Sequence, residues 1–442
     1  MSATVQQVWQ LTALPENDLT TMSAEATISG LSSPGSAPAQ PFTTVINRIC
    51  EEASRVCERQ FGSGLRALIL TGSFARGEGS FLPHKGTWQA LSDAEFIVVL
   101  ADSARVPSAT EQREMQRKTS HALQARGINC SLSFGLVHAD FVRKLQPSIF
   151  AFELRTCGRV LLGDASVLSL IPQFRSSEIP LEDAWRLLCN RLVECLEVLD
   201  HLESQCAAVS AQDSYRIVKL YLDMCTSLLV FCGAYEPRYA QRADALSKLA
   251  QSEPADAPFS LREFSTRVSA ATGFKISGKS SANFGVSNRN EMASMTAETM
   301  TFARQLWRWE LKKMTNSHDA PADQQLLKRW MSQQGMAHRL RGWAYVCRKQ
   351  GWHRSWREWG RWLRLLSLAS PRYCIYAVAS EMCFGLPSSL DDARGLTDSN
   401  CRRWRDFLPM RKQIYGSERS LRSKLMAETV WNYEQFLVGT RA

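Results

Sequence analysis

The chain has 442 residues, of which 45% are hydrophobic and 22% charged, so it is long enough for two or three domains with packed cores. Its thirteen cysteines are scattered without a CxxC pair and its seven histidines are dispersed, which argues against a disulfide framework and against a structural zinc site. The net charge of +10 favours anionic partners, namely nucleotides, nucleic acid or an acidic membrane surface.

The sequence predicts a soluble, cytoplasmic protein. No basic segment followed by an apolar run marks a secretory signal near the N-terminus. No apolar stretch reaches the roughly 18 residues of a membrane span, since the nearest candidate, 365–386, contains Pro371, Arg372 and Glu381. Cysteines inside apolar helical patterns, such as Cys189, are typical of reduced, buried side chains.

Residues 1–40 are rich in Ala, Ser, Thr and Pro, and we expect this N-terminal segment to be disordered. Order should begin near Thr43 with an amphipathic helix that ends at Gly62. The apolar residues of that helix recur every three or four positions: Val45, Ile46, Ile49, Cys50, Ala53, Val56, Cys57 and Phe61.

Strands and helices alternate over the following segment. Strands are predicted at 65–71, 94–100 and 129–137, with a polar, glycine-rich connection after the first strand and a helix at 110–126 before the third. A further helix and strand are expected within 147–163. This alternation indicates a small domain built around a sheet.

From Asp164 onward the sequence is helical, with two long periodic segments that are typical of neighbours in a bundle. The predicted fold class is α+β. It comprises a small mixed-sheet domain over 41–165, a helical bundle domain over 166–320 and a basic helical C-terminal extension over 321–442.

Gly72 and Ser73 follow the first strand directly, in an arrangement typical of phosphate binding. Glycine lets the backbone turn sharply and lets a phosphate approach. The next residues are expected to begin a helix whose free N–H groups favour an anion. Arg76, on the first turn of that helix, is a candidate phosphate ligand. A tight turn without any ligand is the alternative.

Asp93 and Glu95 stand at the start of the second strand. Residues two apart on a strand point to the same face, roughly 6.6 Å apart. Two adjacent carboxylates repel each other unless a cation lies between them, and hard oxygen ligands suit Mg²⁺. The alternative is a solvated pair at a strand edge, although a strongly apolar strand is an awkward place for two acids without a task.

These motifs together resemble a known family. "LTGSFARGEGS" followed by "LSDAEFIVVL" is similar to the signature of the polymerase-beta-type nucleotidyltransferase superfamily, and the "SDAEF" form resembles its kanamycin and other aminoglycoside-modifying members. "GRVLLGD", at 158–164, resembles the segment that follows the catalytic sheet in many members. The resemblance covers about residues 43–165.

The resemblance implies that Gly72 and Ser73 hold the terminal phosphates of a nucleoside triphosphate and that Asp93 and Glu95 bind Mg²⁺. An acceptor oxygen would attack the α-phosphate, and pyrophosphate would leave. Nineteen residues separate Ser73 from Asp93, which is longer than the family's usual spacer and predicts an inserted loop over the site. That loop carries Glu78, His84, Lys85 and Trp88.

A third carboxylate, which family members carry on the third strand, is missing from the expected place. Ser131 and Ser133 stand there instead. Asp140, Glu153 and Glu78 are the alternatives, and we prefer Glu153, because an acid within "FAFELRTCG" is hard to explain as a surface residue.

Lys219 is the candidate from the helical region for contact with nucleotide phosphates, because a lysine of the helical domain has this role in the aminoglycoside enzymes that the chain resembles. A salt bridge from Lys219 to Asp223, one helical turn away, is the alternative interpretation. Arg242 is a weaker candidate for the same cleft.

The segment from Lys328 to Arg364 contains ten Lys or Arg, one acidic residue and six of the thirteen Trp. It has three interpretations: a helical packing surface with buried Trp, an interfacial surface for an anionic membrane, or a site for single-stranded nucleic acid. Packing is the simplest of the three. Membrane contact ranks above nucleic acid, because "RSWREWGRWLRLL" has apolar and cationic faces at helical spacing.

The functional expectation is a Mg²⁺-dependent nucleotidyltransferase. It would transfer a nucleoside monophosphate, AMP from ATP, to a hydroxyl of a small acceptor received by the helical domain. The alternative is a degenerate module of the same fold that binds a nucleotide or a partner without catalysis, as the missing third-strand acid suggests.

Overall fold

The structure is a computed structural model that describes residues 40–84, 86–204, 210–252, 254–277, 284, 288–317, 319, 321–351, 358–385, 397–412 and 420–437. The predicted disordered segment lies outside these residues except for Gln40, which begins the first helix. Two compact units make up the chain. The described part of the N-terminal unit comprises 40–144 and 157–171, and the helical unit comprises 145–156 and the residues from 172 onward. The predicted domain boundaries at 165 and 320 stay predictions.

The described part of the N-terminal unit contains four α-helices and seven short strands. The helices are α1 (Gln40–Phe61), α2 (Gly72–Ala75), α3 (Ala109–Gln124) and α4 (Ala139–Arg143). The strands are β1 (Leu65–Thr71), β2 (Phe81–His84), β3 (Thr87–Ala90), β4 (Ala94–Leu100), β5 (Ile128–Asn129), β6 (Leu132–His138) and β7 (Arg159–Gly163).

Two mixed sheets form from these strands. The larger sheet has the order β6-β4-β1-β7, in which β4 and β6 are parallel while β1 is antiparallel to both β4 and β7. The smaller sheet has the order β2-β3-β5, with an antiparallel β2–β3 pair and a parallel β3–β5 pair.

One face of the larger sheet is covered by α1 and α3. The apolar stripe of α1 packs in one core with alternate residues of β1, β4 and β6, among them Leu70, Phe96 and Phe134. Because strand side chains alternate between faces, the residues between these, including Glu95, point to the opposite face. The N-terminus of α3 is fixed by a capping box between Ser108 and Glu111.

Three local expectations differ from the structure. The helix after the Gly-Ser turn is a single turn that ends before Arg76, because Gly77 adopts a positive φ of 74°. The glycine-rich connection is not an open loop, since it contains the antiparallel pair of β2 and β3. The third strand is divided into β5 and β6, which belong to different sheets.

The other α-helices among the described residues belong to the helical unit. They are α5 (Ile149–Cys157), α6 (Leu181–Glu203), α7 (Ala211–Phe231), α8 (Tyr239–Ser252), α9 (Leu261–Ser277), α10 (Arg289–Thr315), α11 (Asp323–Ser332), α12 (Met336–Gln350), α13 (Trp359–Leu368), α14 (Pro371–Phe384), α15 (Asp398–Arg405) and α16 (Leu421–Leu437). Cys157, the last residue of α5, belongs to the N-terminal unit.

The core of this unit is formed by long helices that pack along their lengths. α6 contacts α7, α14, α16 and α10, and buries an almost continuous apolar set from Ala184 to Leu199. α8 and α9 pack on each other and on α7. The prediction of an α+β chain, with small mixed sheets followed by helices, is confirmed. Within the described ranges, no helix combines the length and the apolar character needed to span a membrane.

Candidate active site

Glu95, one of the two predicted acids, lies beside the Gly-Ser turn because of the register of the larger sheet. In the antiparallel pair β1–β4, Thr71 is opposite Glu95, and in the parallel pair β4–β6, Glu95 is opposite Ser133. These three residues form a row across adjacent strands. The row lies on the face away from α1 and α3, because Phe96 and Phe134 point into that core.

Gly72 is the residue that admits the Glu95 carboxylate to the end of β1. Its backbone has a φ of +67°, which strains any residue with a Cβ. A Cβ at this position would stand 2.1 Å from Glu95 Oε2 and 3.1 Å from Glu95 Cδ. The turn therefore favours glycine here, and the Glu95 side chain would have to move to admit a Cβ.

The chain after Gly72 wraps into a compact turn. The Glu78 amide donates to the Ser73 carbonyl at 2.8 Å, and the Gly77 amide donates to the Phe74 carbonyl at 3.1 Å. Phe74 is buried and stacks on Phe81 at 5.2 Å between ring centres. These contacts hold Ser73, which is half-buried, directly after the strand.

Arg76 and Glu78 form a buried ion pair within this turn. Arg76 Nε donates to Glu78 Oε2 at 2.9 Å, and both side chains are almost fully buried. Arg76 follows the short helix rather than lying on its first turn, and Glu78 holds its guanidinium. The phosphate role predicted for Arg76 and the carboxylate role considered for Glu78 stay predictions, and the ion pair supplies a structural role for both.

Asp93 lies immediately before β4 and is exposed. The backbone amide of Ala94, the next residue, donates to the Ser131 carbonyl at 2.9 Å. Asp93 therefore lies just outside the paired part of β4. The pKa of the Cys130 thiol is raised to about 12, mainly by burial and to a smaller extent by the negative charge of Asp93. Cys130 is therefore protonated and unsuited to bind a cation beside Asp93.

Two carboxylates mark the start of β4, that of Asp93 directly before the strand and that of Glu95 on it. Among the described residues, no group of three or more His, Cys, Asp or Glu side chains is placed to hold a metal ion. Mg²⁺ commonly takes only one or two protein carboxylates and completes its shell with phosphate oxygens and water. Glu95 stands beside the glycine turn with Ser133 as a neutral neighbour in register, and the assignment of Asp93 and Glu95 to a magnesium ion stays a prediction.

Glu153, the preferred third carboxylate, has partners within the helical unit. It lies on α5, where its Oε1 accepts a hydrogen bond from the Tyr235 hydroxyl at 2.6 Å. The same oxygen forms an ion pair with the Arg242 guanidinium. Arg242 is buried and also donates to Thr226 Oγ1 at 2.8 Å and to the Pro237 carbonyl at 2.8 Å. This network explains the acid in "FAFELRTCG" without a metal.

Cationic and tyrosine side chains gather beside this network. Lys219 Nζ lies 5.7 Å and Lys275 Nζ 5.0 Å from the centre of the Tyr215 ring, and Lys275 donates to the Tyr215 hydroxyl. The Tyr239 ring lies 4.8 Å from the Arg242 guanidinium and 6.0 Å from Lys275 Nζ. The helical unit thus places two lysines and an arginine around two tyrosines.

Sequence reasoning missed Lys275, which is only 2% exposed. Its position in the sequence could have indicated its burial. The buried residues of α9 recur every three or four positions, and Lys275 continues that series after Leu261, Phe264, Val268 and Ala271. A lysine in an apolar stripe needs a polar partner or a function.

The alternative partner predicted for Lys219 is engaged elsewhere, because Asp223 accepts a hydrogen bond from Arg191 Nε at 2.7 Å. Asp140 is a surface residue of α4 whose carboxylate pairs with Arg143 and Lys144, and these neighbours lower its pKa. Of the predicted inserted loop, Lys85 lies outside the described residues.

The segment "GRVLLGD" closes the edge of the larger sheet. Gly163 has a φ of +80°, and a Cβ there would stand 2.1 Å from the Arg66 carbonyl oxygen. The Asp164 amide donates to that same carbonyl at 2.9 Å, and its carboxylate pairs with the Arg66 side chain at 3.2 Å. The Gly-Asp ending of the segment is thus required to hold β7 against β1.

Comparison of the sequence with protein-family models and with curated proteins finds no match.

Proposed function

We propose that the N-terminal unit carries a Mg²⁺-dependent nucleotidyltransferase site. It transfers a nucleoside monophosphate, AMP from ATP, to a hydroxyl group of a small acceptor, and pyrophosphate leaves. The proposal carries over the resemblance of the Gly72-Ser73 and Asp93-x-Glu95 motifs to the polymerase-beta-type superfamily.

One observation supports the proposal most strongly, namely the contact between Glu95 and Gly72. The two motifs are 23 positions apart in sequence, yet the Thr71–Glu95 register brings the carboxylate against the glycine. Neither a tight turn nor a solvated acid pair requires that juxtaposition. A site that must hold a cation next to a phosphate does require it.

In this proposal each residue has a defined task. The backbone at Gly72 and Ser73 holds the terminal phosphates, and Asp93 and Glu95 hold the cation. The ion, when bound, neutralises charge that develops on the transferred group. A bond forms between the acceptor oxygen and the α-phosphorus, the bond from the α-phosphorus to the bridging oxygen of pyrophosphate breaks, and the hydroxyl proton passes to a base.

Glu153 and Lys219 are the residues of the helical unit that the sequence predicts to take part. Glu153 was predicted as the third carboxylate, and its pairing with Arg242 supports a structural role instead. The phosphate contact of Lys219 stays a prediction, and Lys275 is buried beside Tyr215 within the helical unit.

A second candidate function is nucleotide binding without catalysis. Ser133, opposite Glu95 on β6, favours it, because an acid at this place would supply the third carboxylate.

The experiment that tests the proposal is incubation of the full chain with each labelled nucleoside triphosphate, Mg²⁺ and a panel of hydroxylated acceptors, with pyrophosphate release as the readout. We expect release that requires acceptor and metal and that disappears in Asp93→Asn. Nucleotide binding without pyrophosphate release for any acceptor would favour the second candidate. Release that persists unchanged in Asp93→Asn would contradict the proposed site.

A further inference from the structure

Exposed apolar side chains concentrate on α12 and α13. Among the described residues, the four most exposed large apolar side chains are Leu363 at 59%, Met336 at 55%, Leu340 at 51% and Trp359 at 44%. All four belong to these two helices, within the basic segment identified in the sequence.

The packing of the two helices is completed by other residues. Trp343 and Trp362 are buried with their ring centres 6.1 Å apart, and their indole N–H groups donate to backbone carbonyls at 2.9 and 3.0 Å. Arg339 is buried and donates to the carbonyl of Ser367 at 2.6 Å. The packing interpretation therefore accounts for these tryptophans, while Trp352 and Trp356 lie outside the described residues. It does not account for the four exposed side chains.

The exposed faces of both helices are cationic as well as apolar. Leu340 is followed by the exposed Arg341, and Leu363 is followed by the exposed Arg364. Neither helix contains an acidic residue. Glu358, just before α13, pairs with Arg361.

We propose that α12 and α13 form a surface that binds an anionic lipid bilayer peripherally. Leucine, methionine and tryptophan side chains insert at the boundary of headgroups and acyl chains, and arginines beside them attract anionic headgroups. The observations favour a bilayer over single-stranded nucleic acid, because nucleic acid is bound by exposed aromatic rings on which bases stack. Three of the four exposed side chains are aliphatic, and Trp343 and Trp362 are buried.

The test is co-sedimentation of the full chain with vesicles of phosphatidylcholine alone and of phosphatidylcholine mixed with phosphatidylserine. We expect binding to the mixed vesicles that weakens as salt is raised and is much lower with phosphatidylcholine alone. The double variant Leu340→Ser/Leu363→Ser should lose about tenfold or more in partitioning, since each leucine removes apolar area from water on binding. The variant Arg341→Gln/Arg364→Gln should lose the preference for the anionic vesicles.

The matched control is Leu181→Ser/Leu421→Ser, which removes two less exposed leucines at the starts of other helices. We expect it to bind vesicles like the unmodified chain, and circular dichroism verifies the folding of every variant. Absence of binding to mixed vesicles, or equal loss in the control, would overturn the proposal. Salt-dependent binding of single-stranded RNA without vesicle binding would also overturn it and assign the surface to nucleic acid.

Discussion

Substitution of Gly72 by alanine tests the contact that joins the two motifs. At Gly72 an added Cβ meets two difficulties, a φ of +67° and a Glu95 oxygen 2.1 Å away. Gly77 offers a matched control, because its φ is +74° and nothing lies within 4 Å of the position of a Cβ. The two variants share the backbone strain and differ in the contact with Glu95.

The expected magnitudes follow from these two contributions. A left-handed backbone costs a residue with a Cβ about 1–2 kcal/mol, which is the expected loss for Gly77→Ala. Displacement of the half-buried Glu95 side chain from its rotamer adds about 0.5–1.5 kcal/mol, so that Gly72→Ala should lose about 1.5–3.5 kcal/mol in total. For a unit of this size, each kcal/mol lowers the melting temperature by roughly 4 °C.

Scanning calorimetry of the full chain is the assay, with both substitutions repeated in a Glu95→Ala background. In that background we expect the cost of Gly72→Ala to fall to that of Gly77→Ala, because the carboxylate that it displaces is gone. Equal costs for the two substitutions in the original chain would refute the proposed contact, as would a cost of Gly72→Ala that does not depend on Glu95.

Three further predictions concern stability and metal affinity. Ser133→Asp should tighten Mg²⁺ binding severalfold in isothermal titration, because it adds a carboxylate opposite Glu95; unchanged affinity would contradict the metal assignment. Glu153→Gln should destabilise the helical unit by about 3 kcal/mol in calorimetry, because it leaves the Arg242 charge buried without its carboxylate, and a loss of activity at unchanged stability would instead make Glu153 catalytic. Burial raises the pKa of Glu310 from 4.5 to about 8, so that the native chain keeps a proton that the unfolded chain loses between these values. The stability should therefore fall by up to about 1.4 kcal/mol per pH unit as the pH rises through that window. Urea unfolding of Glu310→Gln should lack this slope, and an identical slope would show that Glu310 is not its source.

Local pattern was enough to predict the elements that position the site. The apolar spacing of α1, the short apolar runs of β1 and β4, and the acids at the start of β4 are all properties of neighbouring residues. The structure has each of them within a few residues of the predicted bounds.

Pairing between distant segments was not predictable in the same way. The Thr71–Glu95 register arises because β4 pairs with β1 across an intervening hairpin, and periodicity within either strand says nothing about that choice. The β2–β3 pair is hidden from sequence, because Pro83 and Gly86 are typical of loops and its strands are only four residues long.

The partners of buried charges were equally hidden. Glu153 and Arg242 are 89 positions apart, and Lys275 and Tyr215 are 60 apart. The sequence indicated that each charge in an apolar context needed an explanation. Only the packing of α5, α7, α8 and α9 supplies the partner.

Isothermal titration of ATP with and without Mg²⁺ tests the central claim most directly, with Asp93→Asn compared with Asp102→Asn. Asp93 and Asp102 are both exposed and lie near opposite ends of β4, so that they differ mainly in their distance from the Gly72-Ser73 turn. We predict that the unmodified chain and Asp102→Asn bind ATP only with Mg²⁺, and that Asp93→Asn binds at least about tenfold more weakly, since one carboxylate ligand is lost. Equal, metal-independent binding by all three proteins would contradict the assignment of these carboxylates to a nucleotide-bound cation.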